Sequence, residues 1–479
     1  VKAFNQQTPV PRDRRRRSEG KAAQDLEAFV TDVHPPMREL ERDCPSLWMA
    51  GVQDETPALA GDLEVDAAVI GAGYTGLSTA LALRAHGLSV AILEQRIAGF
   101  GASGRNAGHL TPTIGKDLPT LARVFGRTRG GALVALVETA IAHVERTLAT
   151  YGIACDYAPV GNVMAAVHPR QHHALDRAAR AAETLGLDGE LLEPDAMRRR
   201  GLPRAFTRGF LLRRGGILDP GRYVRGLRAA ALAVGAELYE GTPVERLEDG
   251  EPAVVHTPHG RVRARLVILA TNAYTPALGW LTNRIVRVHV YLFATAPLSA
   301  AERAAVDWRG REGIYTAHEM LESYRLTADQ RIVGGAKTVR YGYGGAALAD
   351  DAATYAVLEA AFRERFPELR DVAIERRWGG PIAFALDFLP VVGRTGRHGN
   401  ILYGAGYAGH GVALASYAGT MLADLVLDRD GPGRALWARR VIPLPPEPLR
   451  WLVVKGLTSV FGAIDRRVDR AAQRAAPSR

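Results

Sequence analysis

The stretch "VIGAGYTG" at residues 69–76 constrains this chain more than any other. It closes "VDAAVIG" at 65–71, a β-branched run of the kind buried in parallel sheets. "YTGLSTALALRAHG" at 74–87 then places apolar residues at helical spacing and stops on a glycine. "LSVAILE" at 88–94 reads as a second strand. A glycine triplet alone is weak evidence, but here it opens the helix of a complete βαβ unit. Gly71 suits the tight turn off the strand, Gly73 a close backbone approach to a pyrophosphate, and Gly76 close packing of helix on strand. Unpaired N–H groups at Thr75 would meet phosphate oxygens.

Glu94 ends the second strand about twenty residues beyond the glycines, where a carboxylate accepts ribose hydroxyls and repels a 2′-phosphate. The residues beyond Glu94 decide between NAD and FAD. "RIAGFGASGRNAGHLTPT" at 96–113 is dense in Gly, Ser, Asn and Thr. A plain NAD domain has no use for such a loop, whereas the polar edge of a flavin needs backbone donors and acceptors. A second cluster, "GAGYAGHGV" at 404–412, opens a helix over 411–427. Aimed at the flavin pyrimidine edge, its N-terminus would stabilise negative charge there. FAD is therefore the predicted cofactor.

The remaining segments fill in the architecture. An arginine-rich helix is predicted over 117–150, a strand pair over 151–167, helix over 169–200, and loop, helix and strand over 215–241. A buried strand comes next at 261–275, then antiparallel strands at 286–295 and 324–336, a helix at 355–366, and loop, strand, glycine turn and helix over 377–428. Parallel-type strands fall at the start, middle and end, with antiparallel ones between. The predicted fold is α/β with an α+β insert: a doubly wound, Rossmann-like FAD-binding domain interleaved with an antiparallel-sheet substrate domain. The expected boundaries are a polar extension at 1–44, the FAD-binding domain at 45–115, 205–280 and 377–440, and the substrate domain at 116–204 and 281–376. An amphipathic helix and basic tail occupy 441–479, with an apolar stripe at Leu449, Leu452, Val453, Leu457, Val460, Phe461, Ile464 and Val468. That stripe suits docking on the body, a dimer contact or a membrane surface.

Composition narrows the class. The 479 residues suit two domains, and no apolar run reaches the roughly 18 residues of a membrane span. "RDRRRRSEG" at 12–20 lacks the apolar run that a twin-arginine signal requires. Two cysteines without metal spacing, Cys44 and Cys155, favour a reducing, cytoplasmic setting and no cysteine metal site. The net charge of +10 gathers at Arg12–Arg17 and at Arg466, Arg467, Arg470, Arg474 and Arg479. Few aromatics interleave with these arginines, so they read as solvated ends, not nucleic-acid contacts.

Six ordered blocks over roughly 45–440 resemble the D-amino-acid-oxidase-like FAD-dependent oxidoreductases: "VIGAGYTGLSTALALRAHGLSVAILE", "GASGRNAGH", "GGILDPGRYVRGL", "LVILATNAYT", "YRLTADQRIVGGA" and "DFLPVVG…NILYGAGYAGHGV". Glycine and sarcosine oxidases belong to this branch, and gamma-glutamylputrescine oxidases are the most similar group. The resemblance implies FAD contacts at Gly71, Gly73, Tyr74, Thr75 and Gly76, and at Glu94 and Gln95. It adds Ser103, Arg105, Asn106, Gly108 and His109 in the flavin loop, Val244 by the adenine, and Ala270 and Thr271 at mid-cofactor. Gly380, Gly409, His410, Gly411 and Val412 complete the set. With no cysteine in these blocks, non-covalent FAD is expected.

Enzymes of this kind oxidise an amine or amino-acid C–N bond by hydride transfer to flavin N5; the imine hydrolyses, and O2 takes the electrons to give H2O2. Tyr324 and Arg325 are the candidates for substrate contact, the arginine pairing either with a substrate carboxylate or in a salt bridge. Tyr315 and Tyr291 are candidate aromatic walls, and Trp378 shields the ring or packs beneath it. Lys337 either assists oxygen reduction or is solvated. No metal site is expected: His172 and His173 read as a solvated helix face, and Glu375 and Asp387 form no acid–base pair. One rival is an FAD dehydrogenase passing electrons to a membrane quinone, with the C-terminal helix as anchor. A rival of another class is a nucleic-acid-binding protein using the basic tails, which purified yellow protein would argue against.

Overall fold

The computed structural model describes residues 46–52, 56–349 and 351–475. The extension at 1–44, with Cys44 and Arg12–Arg17, lies outside the described residues, as does Arg479.

The βαβ unit forms as its residues dictate. Strand Leu63–Ile70, helix Tyr74–Ala85 and strand Val90–Leu93 succeed one another, and the two strands pair in parallel. Glu237–Tyr239 extends the sheet on one side, and Gly260–Leu269 and Ile401–Ala405 on the other, all parallel. Val391–Thr395 closes that edge antiparallel, and strands Arg246–Glu248 and Ala253–Thr257 fold back on the start of Gly260–Leu269. Side chains alternate across a strand, and here the alternation separates two cores. Ala67, Val69, Val90 and Ile92 face a helical layer containing Leu77, Leu227, Leu414 and Met421. Ala68, Ile70, Ala91 and Leu93 face Val255 and Val262 on the other side.

The helical segment Leu118–Tyr151, broken by a kink at Gly126, joins the helical layer through Leu133, Val137, Ile141 and Val144. Asp117 caps it by accepting from Thr120 N at 2.9 Å, and Gly152 ends it in the left-handed conformation.

The second sheet has eight strands in the order Ile374–Phe384, Val286–Thr295, Ile332–Arg340, Glu322–Leu326, Gly313–Thr316, Asn162–Ala166, Arg208–Leu212 and Gly189–Leu192. Only the Gly313–Thr316 and Asn162–Ala166 pair is parallel. One face buries Phe293 and Tyr324 against Phe362 of helix Ala352–Arg365 and Phe366 at its end. The other face turns toward the parallel sheet.

Several expectations are corrected. Arg208–Leu212 belongs to the second sheet, against the expectation that 205–280 lies in the FAD-binding domain; so does Ile374–Phe384, against the expected boundary at 377. An apolar run reads alike in either sheet, and only pairing decides. Residues 151–167 hold one strand, not two, with an isolated bridge at Ala158. The helix expected over 169–200 is split by strand Gly189–Leu192. The loop at 377 is an edge strand that tolerates Pro381. Arg466, Arg467, Arg470 and Arg474 lie on a continuous helix, Leu449–Ala475, not in a disordered tail.

Candidate active site

Four parallel strands point their C-terminal ends at one edge, ending at Ile70, Leu93, Leu269 and Ala405. Ligands of open α/β sheets lie along such an edge. Gly71 has φ +101, and a Cβ there would lie 3.0 Å from the Ala270 oxygen. A Cβ at Gly76 would lie 1.9 Å from the Gly71 oxygen, so the helix meets the strand as closely as backbone allows. Helix Tyr74–Ala85 has no side-chain cap at Gly73, and helix Gly411–Val426 has none at His410. Thr75 and Tyr407 join the two helix starts through their hydroxyls at 2.7 Å.

Glu94 sits beside the glycine turn. Its Oε2 accepts from Ala72 N at 2.8 Å and its Oε1 from Arg96 N at 3.0 Å. Burial pushes its carboxyl up to about 7, against those two hydrogen bonds, and Glu240 adds to the rise. Thr242 N donates to the Glu94 backbone oxygen, which brings Val244 close to this corner; Gln95 is exposed there. Ala270 continues the neighbouring strand, its N–H on the Ile70 oxygen, and Thr271 pairs with Thr275 through their hydroxyls.

The loop 96–113 runs between the sheets and is bound to both. Toward the parallel sheet, Ser103 Oγ accepts from Tyr74 N at 2.9 Å, and Asn106 donates to the Tyr74 hydroxyl and to the Ser103 oxygen. Toward the second sheet, Arg105 donates to the Gly379 oxygen at 2.9 Å, next to Gly380. The Trp378 indole donates to the Arg105 oxygen and the Trp48 indole to the Asn106 oxygen, each at 2.9 Å. Trp378 is fully buried. Gly108 is where two walls meet: a Cβ would lie 2.1 Å from the Leu218 oxygen and 2.2 Å from the Arg325 guanidinium.

His109 closes the loop. Its Nδ1 lies 3.0 Å from Asn162 Oδ1, and Asn162 Nδ2 donates to the Leu110 and Gly216 oxygens. The asparagine oxygen is therefore the acceptor and His109 Nδ1 the donor, which leaves Nε2 a bare acceptor. Nε2 is buried with no partner among the described residues, and burial pushes the imidazole down to about 4. His410 is arranged alike, with Nδ1 on the Ala408 oxygen at 3.0 Å and its pKa lowered by burial.

Two guanidiniums stand near this loop. Arg325 is buried and donates to the Ala107 oxygen at 3.1 Å and to the Leu218 oxygen, while its Nε has no partner among the described residues. Burial pushes it down to about 10; Asp219 opposes that fall and the charge of Arg311 adds to it. Arg311, two residues before Gly313, keeps both Nε and Nη2 buried and unpartnered among the described residues. Gly313 itself abuts His109 and Asn162. Arg311, Asn162, Trp48 and Tyr407 carry no signal of their own in the sequence. Tyr407 lies within the second glycine cluster and the other three in segments without a motif, and each acquires meaning only through long-range contact.

The other substrate-side expectations are corrected. Tyr324 points away, into the aromatic core, with its hydroxyl on Glu322 at 3.1 Å. Strand alternation that turns Arg325 toward the loop necessarily turns Tyr324 from it. Tyr291 is also core, edge-on to Tyr355. Tyr315 lies on the loop-facing side, partly exposed. Lys337 is neither solvated nor at the loop: its ammonium lies 2.5 Å from Glu322 and 2.9 Å from Asp469. Glu322, Asp469 and His318 have ligand atoms close enough for a metal ion, but Lys337 and Arg365 already neutralise both carboxylates.

Residues 66–425 match a family model described as "DAO: FAD dependent oxidoreductase". Over 367 residues the chain is 32% identical to gamma-glutamylputrescine oxidoreductase of Escherichia coli (strain K12), covering 75% of this chain and 83% of that protein. A probable oxidoreductase OrdL of Haemophilus influenzae is 29% identical over 381 residues, 78% of this chain and 85% of its own. Among solved structures, glycine oxidase from Geobacillus kaustophilus superposes with a TM-score of 0.67 at 20% identity, covering 79% of this chain and all (100%) of that one. L-proline dehydrogenase from P. horikoshii gives 0.66 at 20% identity, with 78% and 98% covered.

Proposed function

Because the chain belongs to the DAO family of FAD-dependent oxidoreductases, we propose that it oxidises the C–N bond of an amine or amino acid that also carries a carboxylate, with O2 as electron acceptor and H2O2 as product. Held without a covalent bond, FAD would supply the hydride acceptor for the carbon bonded to nitrogen. The glycine turn and the Tyr74 helix start hold the pyrophosphate, and Glu94, Gln95 and Val244 the adenosine end. Ala270 and Thr271 would hold the middle of the cofactor. The loop from Ser103 to His109, with Gly380 and the helix start from Gly409 to Val412, would hold the ring. His109 Nε2, neutral and lacking a partner among the described residues, accepts from an N–H. Cys155 is buried in the helical core with its thiol pushed up to about 12, away from covalent chemistry.

The observation that carries the substrate class is Arg311. Two buried guanidinium nitrogens without a partner among the described residues, beside a second buried arginine, call for an anion. A gamma-glutamylated diamine offers a carboxylate at one end and a reactive amine at the other. Charge-assisted hydrogen bonds contribute ~1.5–3 kcal/mol, so Arg311→Met should raise KM roughly 10- to 100-fold and change kcat less. The measurement is anaerobic bleaching of the flavin by a panel of amines. Carboxylate-bearing amines should bleach it, and putrescine should not. Equal bleaching by both, or an unchanged KM in Arg311→Met, defeats the assignment. Peroxide formation with substrate in air is the expected sign of O2 as the acceptor. Turnover with a dye but no peroxide in air would make the enzyme a dehydrogenase.

Glu94 gives a pH signature. Ribose hydroxyls donate to an ionised carboxylate, so FAD prefers Glu94 deprotonated. With the free group near pH 7, affinity should plateau above that pH and fall below it, by up to about tenfold per pH unit. Fluorescence titration of the apoprotein with FAD reads this slope, and Glu94→Gln should flatten it. A wild-type affinity constant between about pH 5.5 and 8 would remove Glu94 from the ribose.

A further inference from the structure

The C-terminal helix Leu449–Ala475 is fastened to the antiparallel-sheet side by one face only. At its start, Trp451 and Val454 pack with Leu444 on Val286, Val288 and Tyr341, and Glu447 accepts from Trp451 N at 3.0 Å and from the Tyr341 hydroxyl. Further along, Asp465 accepts from Glu319 N at 2.9 Å and Met320 N at 2.8 Å. Asp469 pairs with Lys337 and with Arg365. Both acidic side chains of the helix are thus turned inward and consumed.

The outward face has a different character. Leu449, Leu452, Val453, Leu457, Val460 and Ile464 form one stripe at helical spacing, each between 40% and 57% exposed. Over the last turns the same face continues as Arg467, Arg470 and Arg474, with Arg466 and Lys455 at its border, all exposed. Docking the helix therefore leaves its apolar stripe uncovered by the described residues, and every exposed charge on the described helix is positive. A second copy would bring cations toward cations, whereas anionic lipid would neutralise them and take up the stripe. At ~1.5 Å per residue the 27-residue helix is roughly 40 Å long, enough for a broad interfacial contact. None of the described helices is long and apolar enough to cross a membrane.

We propose that this face docks on an anionic lipid surface, the stripe entering the headgroup–acyl boundary and the terminal arginines meeting the headgroups. The test is co-sedimentation of the flavin-loaded protein with phosphatidylcholine vesicles, with and without about 30 mol % phosphatidylserine, near 0.15 M salt. The bound fraction should rise about tenfold with the anionic lipid. It should be lost in Leu457→Asp/Val460→Asp and reduced in Arg467→Ala/Arg470→Ala/Arg474→Ala, with the flavin band and turnover of both variants retained. Equal or absent binding to the two vesicle types overturns the proposal. So does a dimer in light scattering that Leu457→Asp/Val460→Asp splits, because the stripe is then occupied by a second copy.

Discussion

Substituting Gly76 with alanine is expected to give protein that purifies without flavin. The added Cβ would stand 1.9 Å from the Gly71 oxygen and 3.2 Å from Val69 Cγ1. Neither neighbour can yield cheaply. The oxygen is backbone at the turn, and Gly71 is itself held against Ala270. Relief must come from moving helix Tyr74–Ala85 outward, which pulls Tyr74 N from Ser103 and Thr75 from Tyr407. Overpacking of this kind costs about 1–3 kcal/mol or more, and the shift disorders the donors a pyrophosphate requires. The FAD dissociation constant should rise more than about 100-fold, the equivalent of roughly 2.7 kcal/mol. Gly456→Ala is the control, since it lies in a helix with open space around it and should cost nothing. Stoichiometric flavin in Gly76→Ala would show that the tight approach does not hold the cofactor.

The second large effect is expected at Glu322. This carboxylate is 1% exposed and receives Arg365 through two hydrogen bonds at 2.9 and 3.0 Å, Lys337 at 2.5 Å and the Tyr324 hydroxyl at 3.1 Å. Burial alone would raise its pKa, but Arg365 and Lys337 outweigh burial and hold it low. Glu322→Gln keeps the shape and removes the charge. Two buried cations then share Asp469, and breaking a buried pair in this way costs about 3–5 kcal/mol. Urea unfolding should show that loss with the visible flavin spectrum of the folded protein unchanged. A loss below about 1 kcal/mol would mean that the cluster is solvated in practice.

The parts of this fold legible in sequence are the local ones. Gly71, Gly76 and Glu94 lie within one βαβ unit, where spacing alone defines geometry. The loop from Ser103 to His109 stands out by composition, and its position beside the glycine turn agrees with that reading. On the antiparallel sheet, alternation requires that Tyr324 and Arg325 face opposite ways, but only strand pairing says which faces the loop. Lys337 finds Asp469 across 132 positions, and no local pattern carries such a contact. Arg311 sits in "DWRGREG", one charge among several, and is distinguished only by what fails to reach it. The C-terminal stripe is visible in the sequence, yet the side that docks is decided by Asp465 and Asp469, which the apolar pattern ignores.

The loop proposed to border the flavin is also the strut between the two sheets, through Arg105, Trp378 and Trp48. Parting the two sheets would have to break all three of these hydrogen bonds among the described residues. Motion of individual side chains asks for no such loss, so it is the cheaper way to open the space between the sheets. New specificities in such an architecture have to be reached by exchanging residues on the floor of the second sheet, leaving the spacing of the two bodies untouched.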